Sequence, residues 1–161
     1  IDSLGKYNLF NLNRFVKDFK DVSYSNLSMD VQFSYRINKW FGLSTGAGYG
    51  GETILPNIGF SLSFRNKKGD FFLEAFPTVG ITEQFAPSIF AIVGYNPKIN
   101  HKWGLSNQLI FTLNGISSSQ LIRLGLNFKD KLQFGIGADI NYFYNNVPNI
   151  YNFGTFIRLN L

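Results

Sequence analysis

The sequence contains no cysteine and one histidine, and charged residues make up only 16% of its 161 positions. Without cysteine the chain can form no disulfide, no thiolate metal site and no thiol nucleophile. A soluble domain usually carries about 25% charged residues, so the low proportion indicates that much of the surface does not face water. No run of about 18 apolar residues occurs, and no transmembrane helix is therefore predicted.

What the sequence does contain is a two-residue alternation of apolar and polar side chains. Over residues 25–37 the odd positions are Ser, Leu, Met, Val, Phe, Tyr and Ile, and the even ones are Asn, Ser, Asp, Gln, Ser and Arg. The pattern returns over 151–161. A period of two indicates strands with one apolar and one polar face. Because nearly the whole chain alternates, we predict an all-β fold, a transmembrane up-and-down antiparallel β-barrel that is apolar outside and polar inside.

The alternation defines nine strands, and residues 1–22 leave two readings open. Apolar residues there recur at helical spacing, which favours an amphipathic helix, whereas a strand over 6–16 would raise the count to ten, an even number. We predict ten strands in a single barrel domain over 1–161, with eight or nine strands and an N-terminal helix as the alternative. The nine other predicted strands cover 24–37, 40–50, 54–65, 70–82, 88–96, 103–113, 119–128, 132–144 and 150–161.

The connections between these strands alternate in character. One set contains lysines and the other is rich in Asn, Gly, Pro and Ser, which are turn formers. We expect the lysine set to face the periplasm and to contact phosphate-bearing lipid headgroups, and we predict no nucleic-acid partner. Aromatic residues near both ends of the strands are typical of interfacial anchoring. The predicted anchors are Trp40, Tyr95, Trp103, Tyr142 and Tyr151.

The polar face predicted for the lumen carries charges of both signs and most of the glycines. Enclosed charges should be paired, because an orphan charge in a low dielectric is costly. If two strands pair about the turn at Asp130, Arg123 lies diagonal to Asp139. We predict an internal network that fills a small barrel, with a binding site or a proton path as the alternative. Its members are Asp30, Arg36, Arg65, Glu74, Arg123, Asp139 and Arg158.

Catalytic signals are sparse. His101 stands in a lysine-rich turn, and no nucleophile or carboxylate is placed beside it by sequence; Ser106 follows five residues later. An ordinary turn role is therefore favoured over that of a general base. The sequence has no metal-ligand cluster and no phosphate-binding glycine loop, so we predict no cofactor and no metal.

The end of the chain resembles the closing strand of bacterial outer-membrane β-barrel proteins. Those strands have the form polar-x-Gly-x-x-hydrophobic-x-hydrophobic, and Asn152, Gly154, Ile157 and Leu159 match it, although Leu161 replaces the usual terminal aromatic residue. The chain length, the turns and the alternation resemble small barrels of the OmpA/OmpX-like class. The Asn-, Lys-, Phe- and Ile-rich composition is similar to that of members from Bacteroidota. The resemblance implies recognition of the final strand by the barrel assembly machinery.

Together these patterns predict a protein of a Gram-negative outer membrane, in contact with outer-membrane lipid. The leading functional hypothesis is a non-enzymatic scaffold or accessory subunit that binds a protein partner in an outer-membrane complex. One alternative is a narrow channel or small-ligand carrier that uses the luminal arginines. A second is an enzyme that modifies lipid A.

Overall fold

The computed structural model describes residues 5–17, 25–50, 53–81, 86–115, 117–144 and 148–159. Within these ranges ten strands form one antiparallel sheet, in which spatial order follows chain order. The all-β fold and the predicted count of ten are therefore confirmed, whereas closure of the sheet into a barrel stays a prediction. The strands are β1 (Tyr7–Lys17), β2 (Ser25–Arg36), β3 (Phe41–Gly50), β4 (Thr53–Arg65), β5 (Phe71–Gly80), β6 (Ala86–Tyr95), β7 (Trp103–Asn114), β8 (Ser117–Phe128), β9 (Leu132–Phe143) and β10 (Ile150–Leu159).

The N-terminal segment is a strand, so the helical alternative is wrong over its described part. β1 pairs with β2 along its whole length, from Tyr7 opposite Tyr35 to Lys17 opposite Ser25. The ring of Tyr7 stacks on that of Phe33 at 5.8 Å. Pairing with β2 satisfies the backbone groups of β1 that face this neighbour and places its residues opposite cross-strand partners, which outweighs the helical spacing of its apolar residues. Residues 1–4 and 18–24 lie outside the described residues.

The chain forms two compact units. Unit 1 comprises residues 1–61 and 76–87, and unit 2 comprises 62–75 and 88–161. Strands β4 and β5 therefore contribute residues to both units. No helix among the described residues is long and apolar enough to cross a membrane.

In unit 1 the pairing of β2 with β3 separates the two kinds of side chain cleanly. Gln32 lies opposite Gly46, and Ser34 lies opposite Ser44. Phe33, which stands between Gln32 and Ser34 in β2, lies opposite Thr45. We call the side of the sheet that carries Gln32 its polar face and the side that carries Phe33 its apolar face. A shift of the register by one residue would exchange the two faces, so the alternation itself specifies the pairing.

Unit 2 continues the same arrangement through four paired strands. One row of residues crosses these strands. Gln108 of β7 lies opposite Arg123 of β8, and Arg123 lies opposite Gly137 of β9. Gly137 in turn lies opposite Gly154 of β10. This row belongs to the polar face. The neighbouring row on the apolar face runs through Leu109 and carries mainly aliphatic residues.

Glycine on the polar face makes room for large neighbouring side chains. A Cβ atom at Gly94 of β6 would overlap the ring of Phe72, which lies against this glycine from β5. The guanidinium carbon of Arg65 lies 5.6 Å from the centre of the same ring. Phe72 is thus held between a glycine backbone and an arginine, and a side chain at residue 94 would displace it.

The connection between β8 and β9 has an unusual backbone. Lys129 and Asp130 both have positive φ, 52° and 58°, and the N–H of Lys131 donates to the carbonyl of Phe128 at 3.1 Å. This is a type I′ turn, whose twist matches that of the flanking strands but which favours Asn and Gly at the two central positions. A lysine in the left-handed region costs conformational energy.

We expect replacement of Gly94 by alanine to destabilise the protein by about 1–3 kcal/mol, because the added methyl group overpacks a filled site. The measurement is the free energy of unfolding in urea for protein reconstituted in lipid vesicles. Gly154→Ala is the matched control, because nothing lies within 4 Å of a Cβ atom built there. Equal losses of stability in the two variants would contradict the packing role of Gly94.

Candidate functional site

The apolar face of unit 1 is exposed and carries large hydrophobic side chains. Leu9 of β1 is 72% exposed and Ile54 of β4 is 67% exposed. Ring contacts join neighbouring strands on this face, such as that between Phe41 and Phe60 at 5.3 Å. Residues exposed in this unit include Tyr7, Leu9, Phe33, Tyr35, Ile37, Trp40, Leu43, Ile54, Ile58 and Phe60.

The apolar face of unit 2 is equally exposed, most of all on β10, where Phe153 and Ile157 are each 77% exposed. A contiguous apolar surface of this extent is rare on a soluble monomer and marks contact with protein or lipid. Further exposed residues in this unit include Leu62, Phe64, Ile89, Leu109, Leu124, Leu126, Ile136 and Leu159.

The buried side chains of this protein are mainly polar, whereas those of a soluble domain are mainly apolar. Among the described residues seven buried side chains are polar and four are hydrophobic. The ordinary pattern places apolar residues inside and leaves polar ones on the surface, and here the proportions are reversed. The buried polar residues are Gln32, Ser34, Ser44, Thr78, Ser106, Ser118 and Asn141, and the buried hydrophobic ones are Phe76, Phe90, Ile92 and Ile110.

Within unit 1 the polar face is lined by side chains that lie over glycine. The Asp30 carboxylate would be 3.1 Å from a Cβ atom at Gly48, and the Gln32 amide would overlap one at Gly46. The amide oxygen of Gln32 and the hydroxyl of Ser44 are buried and have no hydrogen-bond partner among the described residues. The surface is therefore polar and closely packed.

Within unit 2 the polar face carries a cluster of charged and polar groups around Arg123. Its guanidinium Nη1 donates to the side-chain oxygen of Gln108 at 3.2 Å and its carbon lies 5.8 Å from the centre of the Phe156 ring. Arg123 also interacts electrostatically with Asp139 and Arg158. Asp139 is diagonal to Arg123 across β8 and β9, as pairing about Asp130 predicts.

Asp139 has a second contact in this cluster. Its carboxylate accepts a hydrogen bond from the side-chain amide of Asn141 at 3.2 Å. Asn141 is itself buried. The Arg123 cluster therefore combines one carboxylate, two arginines, two amides and an aromatic ring on β7 to β10, which makes it a rigid polar packing unit that can also attract an anion.

The other members of the predicted charge network are placed differently. Arg65 contacts Phe72, and Glu74 makes no salt bridge with a described residue. Asp30 and Arg36 stand six residues apart on the polar side of β2, too far for a direct pair. The structure thus brings together Arg123, Asp139 and Arg158 in unit 2, and a single network of all seven residues stays a prediction.

The five predicted aromatic anchors are all exposed. The ammonium of Lys39 lies 5.0 Å from the ring of Trp40 in unit 1. In unit 2 Tyr95 and Trp103 flank the lysine-containing connection between β6 and β7, whereas Tyr142 and Tyr151 lie toward the opposite ends of β9 and β10. The last two rings meet edge to face at 5.9 Å.

The residues of the predicted assembly signal alternate between the two faces of β10. Asn152 and Gly154 pair with Asp139 and Gly137 on the polar face. Ile157 and Leu159 lie on the apolar face, where both are exposed. Recognition of this strand by an assembly machinery stays a prediction.

Chemistry at His101 has no support from its surroundings. The residue is exposed in the β6–β7 connection, and Ser106 is buried on the polar face of β7. Among the residues that the structure describes, no three His, Asp or Glu side chains come together in a way that could hold a metal ion.

No protein-family model, curated protein or solved structure matches this chain. The likeness to small outer-membrane barrels stays a prediction from the alternation and the final strand.

Two contacts of the structure were outside the reach of sequence reasoning. Phe10 of β1 stacks on Phe76 of β5 at 5.8 Å within unit 1, and Lys98 forms a salt bridge with Asp130 at 3.0 Å within unit 2. Each joins residues from strands or connections that are not neighbours in the chain. The signal available for Phe10 and Phe76 was only that both interrupt the polar pattern.

We expect Arg123→Met and Asp139→Asn each to destabilise the protein by about 1–3 kcal/mol, because each removes the electrostatic interaction between these two residues on the polar face. The double variant should lose less stability than the two single losses combined, with a coupling of about 0.5–3 kcal/mol. Unfolding in urea in the same vesicles measures all three. Strictly additive losses would show that the two groups do not stabilise each other.

Proposed function

We propose that this chain is an integral β-barrel protein of a bacterial outer membrane and that it serves there as a non-enzymatic scaffold or accessory subunit of a membrane complex. The observation that carries the membrane assignment is the reversal of burial between the two faces. Large apolar side chains such as Phe153 and Ile157 are exposed, and polar ones such as Gln32 and Ser106 are buried. Lipid is the solvent in which this distribution is favourable.

Closure of the sheet is part of the proposal. In the linear strand order β1 and β10 are the two outer members, each paired with one neighbour. In hydrocarbon every backbone N–H and C=O group needs an internal partner, because no water is present to replace one. A sheet with two open edges is therefore unsuited to the lipid that its apolar face requires, and pairing of β1 with β10 would remove both edges.

The non-enzymatic role is supported by the way side chains occupy the polar face. In unit 1 Phe10 and Phe76 stack on each other, and in unit 2 Phe90, Ile92 and Ile110 are buried. A small barrel is filled by its own side chains, and aromatic rings at these positions favour a plugged interior over a wide aqueous pore. A protein without a pore or a catalytic group acts through its surfaces.

A lateral protein partner is favoured by the composition of β1. Asn11 is exposed and lies opposite Val31 on the apolar face. A carboxamide that faces hydrocarbon without a hydrogen-bond partner carries a desolvation cost. A partner within the membrane that offers a polar group to Asn11 would remove this cost, and we place the interface of the complex at the wall formed by β1 and β2.

Closure can be tested directly because the chain has no native cysteine. We expect at least one pair of cysteines on the apolar sides of β1 and β10 to cross-link when the reconstituted protein is oxidised. The positive control is Ile136→Cys with Thr155→Cys, which lie opposite each other in β9 and β10. Cross-linking of the control alone would contradict a closed barrel. The tested pairs combine Tyr7, Leu9 or Asn11 with Phe153, Thr155, Ile157 or Leu159.

The subunit role predicts that the protein, extracted gently from its own membrane, migrates as an assembly larger than the monomer. We expect Asn11→Leu to release the partner while the barrel still inserts, because the variant removes the polar contact and leaves an apolar wall. Thr155→Val, which changes another polar residue on the apolar side of the sheet, is the matched control. A monomer in the unmodified protein would contradict the subunit role, and native mass measurement distinguishes the outcomes.

A further inference from the structure

One end of unit 2 concentrates positive charge. The three connections that meet there span residues 66–70, 96–102 and 129–131, and we call them together the lysine edge. They contain six lysines and two aspartates, a net charge of +4 with His101 neutral. The connections at the opposite end of unit 2, residues 114–118 and 144–149, contain no charged residue. The charge is therefore a property of one end of this unit.

Backbone hydrogen bonds join the three connections into one continuous edge. The N–H of Asn96 donates to the carbonyl of Asp70 at 2.7 Å, and the N–H of Lys129 donates to the carbonyl of Lys102 at 2.7 Å. Asn100 adds local order, because its side-chain oxygen accepts hydrogen bonds from the backbone of Lys102 and Trp103 at 2.9 Å each. The lysines are thus displayed on a fixed backbone.

Both carboxylates of the edge already have internal partners. Asp130 forms the salt bridge with Lys98 and accepts a hydrogen bond from the Asn127 side chain at 3.1 Å. Asp70 accepts one from the side chain of Asn66. Five further lysines are exposed and form no salt bridge with any residue that the structure describes: Lys67, Lys68, Lys102, Lys129 and Lys131.

Apolar and aromatic side chains lie directly beside these ammonium groups. Trp103 packs on Phe128 with ring centres 4.8 Å apart, and the ammonium of Lys129 lies 5.3 Å from the Phe128 ring. Ile99 is 59% exposed and Tyr95 is 48% exposed. Aromatic rings at headgroup level with cations just beyond them are the arrangement that an interface with anionic lipid requires.

We propose that the lysine edge binds the phosphate groups of anionic phospholipids, of the phosphatidylglycerol type. The proposal rests on the membrane assignment made above and adds the class of lipid that the protein selects. Charge complementarity is the argument: five ammonium groups without salt bridges to described residues stand beside an apolar wall, so one phospholipid can place its phosphate among the lysines and its acyl chains against Trp103. A soluble anion would use only the first of these contacts.

The two tryptophans of the chain make a direct test possible. In a Trp40→Phe background Trp103 is the only tryptophan, and it reports lipids at the lysine edge. The protein is reconstituted in phosphatidylcholine vesicles that contain acyl-brominated phosphatidylglycerol or, for comparison, acyl-brominated phosphatidylcholine. We expect fluorescence quenching to yield an association constant at least about five-fold higher for the anionic lipid, the contribution of one lysine near a membrane surface.

Two variants make the test specific to the lysines without salt bridges. Replacement of Lys67, Lys68, Lys102, Lys129 and Lys131 by glutamine should bring the ratio of the two association constants close to one. The matched control is Lys98→Gln with Asp130→Asn, which removes an internal ion pair and leaves the net charge unchanged, and it should keep the preference. Salt at about 1 M should weaken the preference in the unmodified protein, because it shortens the screening length to about 3 Å.

Three results would overturn the proposal. Equal quenching by the two brominated lipids would show that the edge has no preference. A preference that survives the five lysine substitutions would locate it elsewhere. Loss of the preference on addition of inorganic phosphate, but not of sodium chloride at equal ionic strength, would indicate a site for the free anion. Failure to insert even into pure phosphatidylcholine would instead contradict the membrane assignment, so the two failures are distinguishable.

Discussion

Backbone hydrogen bonding between neighbouring strands is the constraint on which the rest of this structure depends. Each strand pairs with the strands before and after it in the chain, and every pairing fixes which residues lie side by side. Once Gln32 is opposite Gly46, the period of two places Asp30, Gln32 and Ser34 on one side of the sheet and Val31 and Phe33 on the other. The exposed apolar wall, the glycine-lined polar face and the Arg123 cluster all follow from these registers.

Glycine has a structural role on the polar face that complements the large side chains. Phe72 lies on Gly94, and Asp30 lies over Gly48. In each case the residue opposite a bulky or charged side chain has no side chain of its own, so the bulky group lies close to the backbone of the neighbouring strand. The polar face is therefore close-packed without being uniformly apolar, and its order comes from matched sizes across strands.

Much of this architecture could be predicted from the sequence because its main signal is local. Alternation located the strands to within two or three residues, and the turn at Asp130 was sufficient to place Arg123 near Asp139. The first strand was ambiguous because the apolar residues from Leu9 onward satisfy a helical spacing as well. The stack of Phe10 on Phe76 and the pair Lys98 with Asp130 depend on distances in space between segments, which no periodicity encodes. Sequence likewise places Arg65 and Glu74 in the polar set but does not reveal that Arg65 contacts Phe72.

The turn at Lys129 and Asp130 bears on how this chain can tolerate change. It lies in a three-residue connection between β8 and β9, residues 129–131, and neighbouring strands throughout the sheet are consecutive in the chain. An insertion within a connection lengthens a loop at modest entropic cost. An insertion of one residue in β8 just before Arg123 would instead turn Leu124 and Leu126 toward the polar face and Arg123 toward the apolar one, if the preceding residues kept their register. Changes in chain length are therefore accommodated in the connections at the ends of the strands. Loss or gain of a whole hairpin keeps the apolar and polar faces of the sheet, whereas insertion of a single residue within a strand exchanges them.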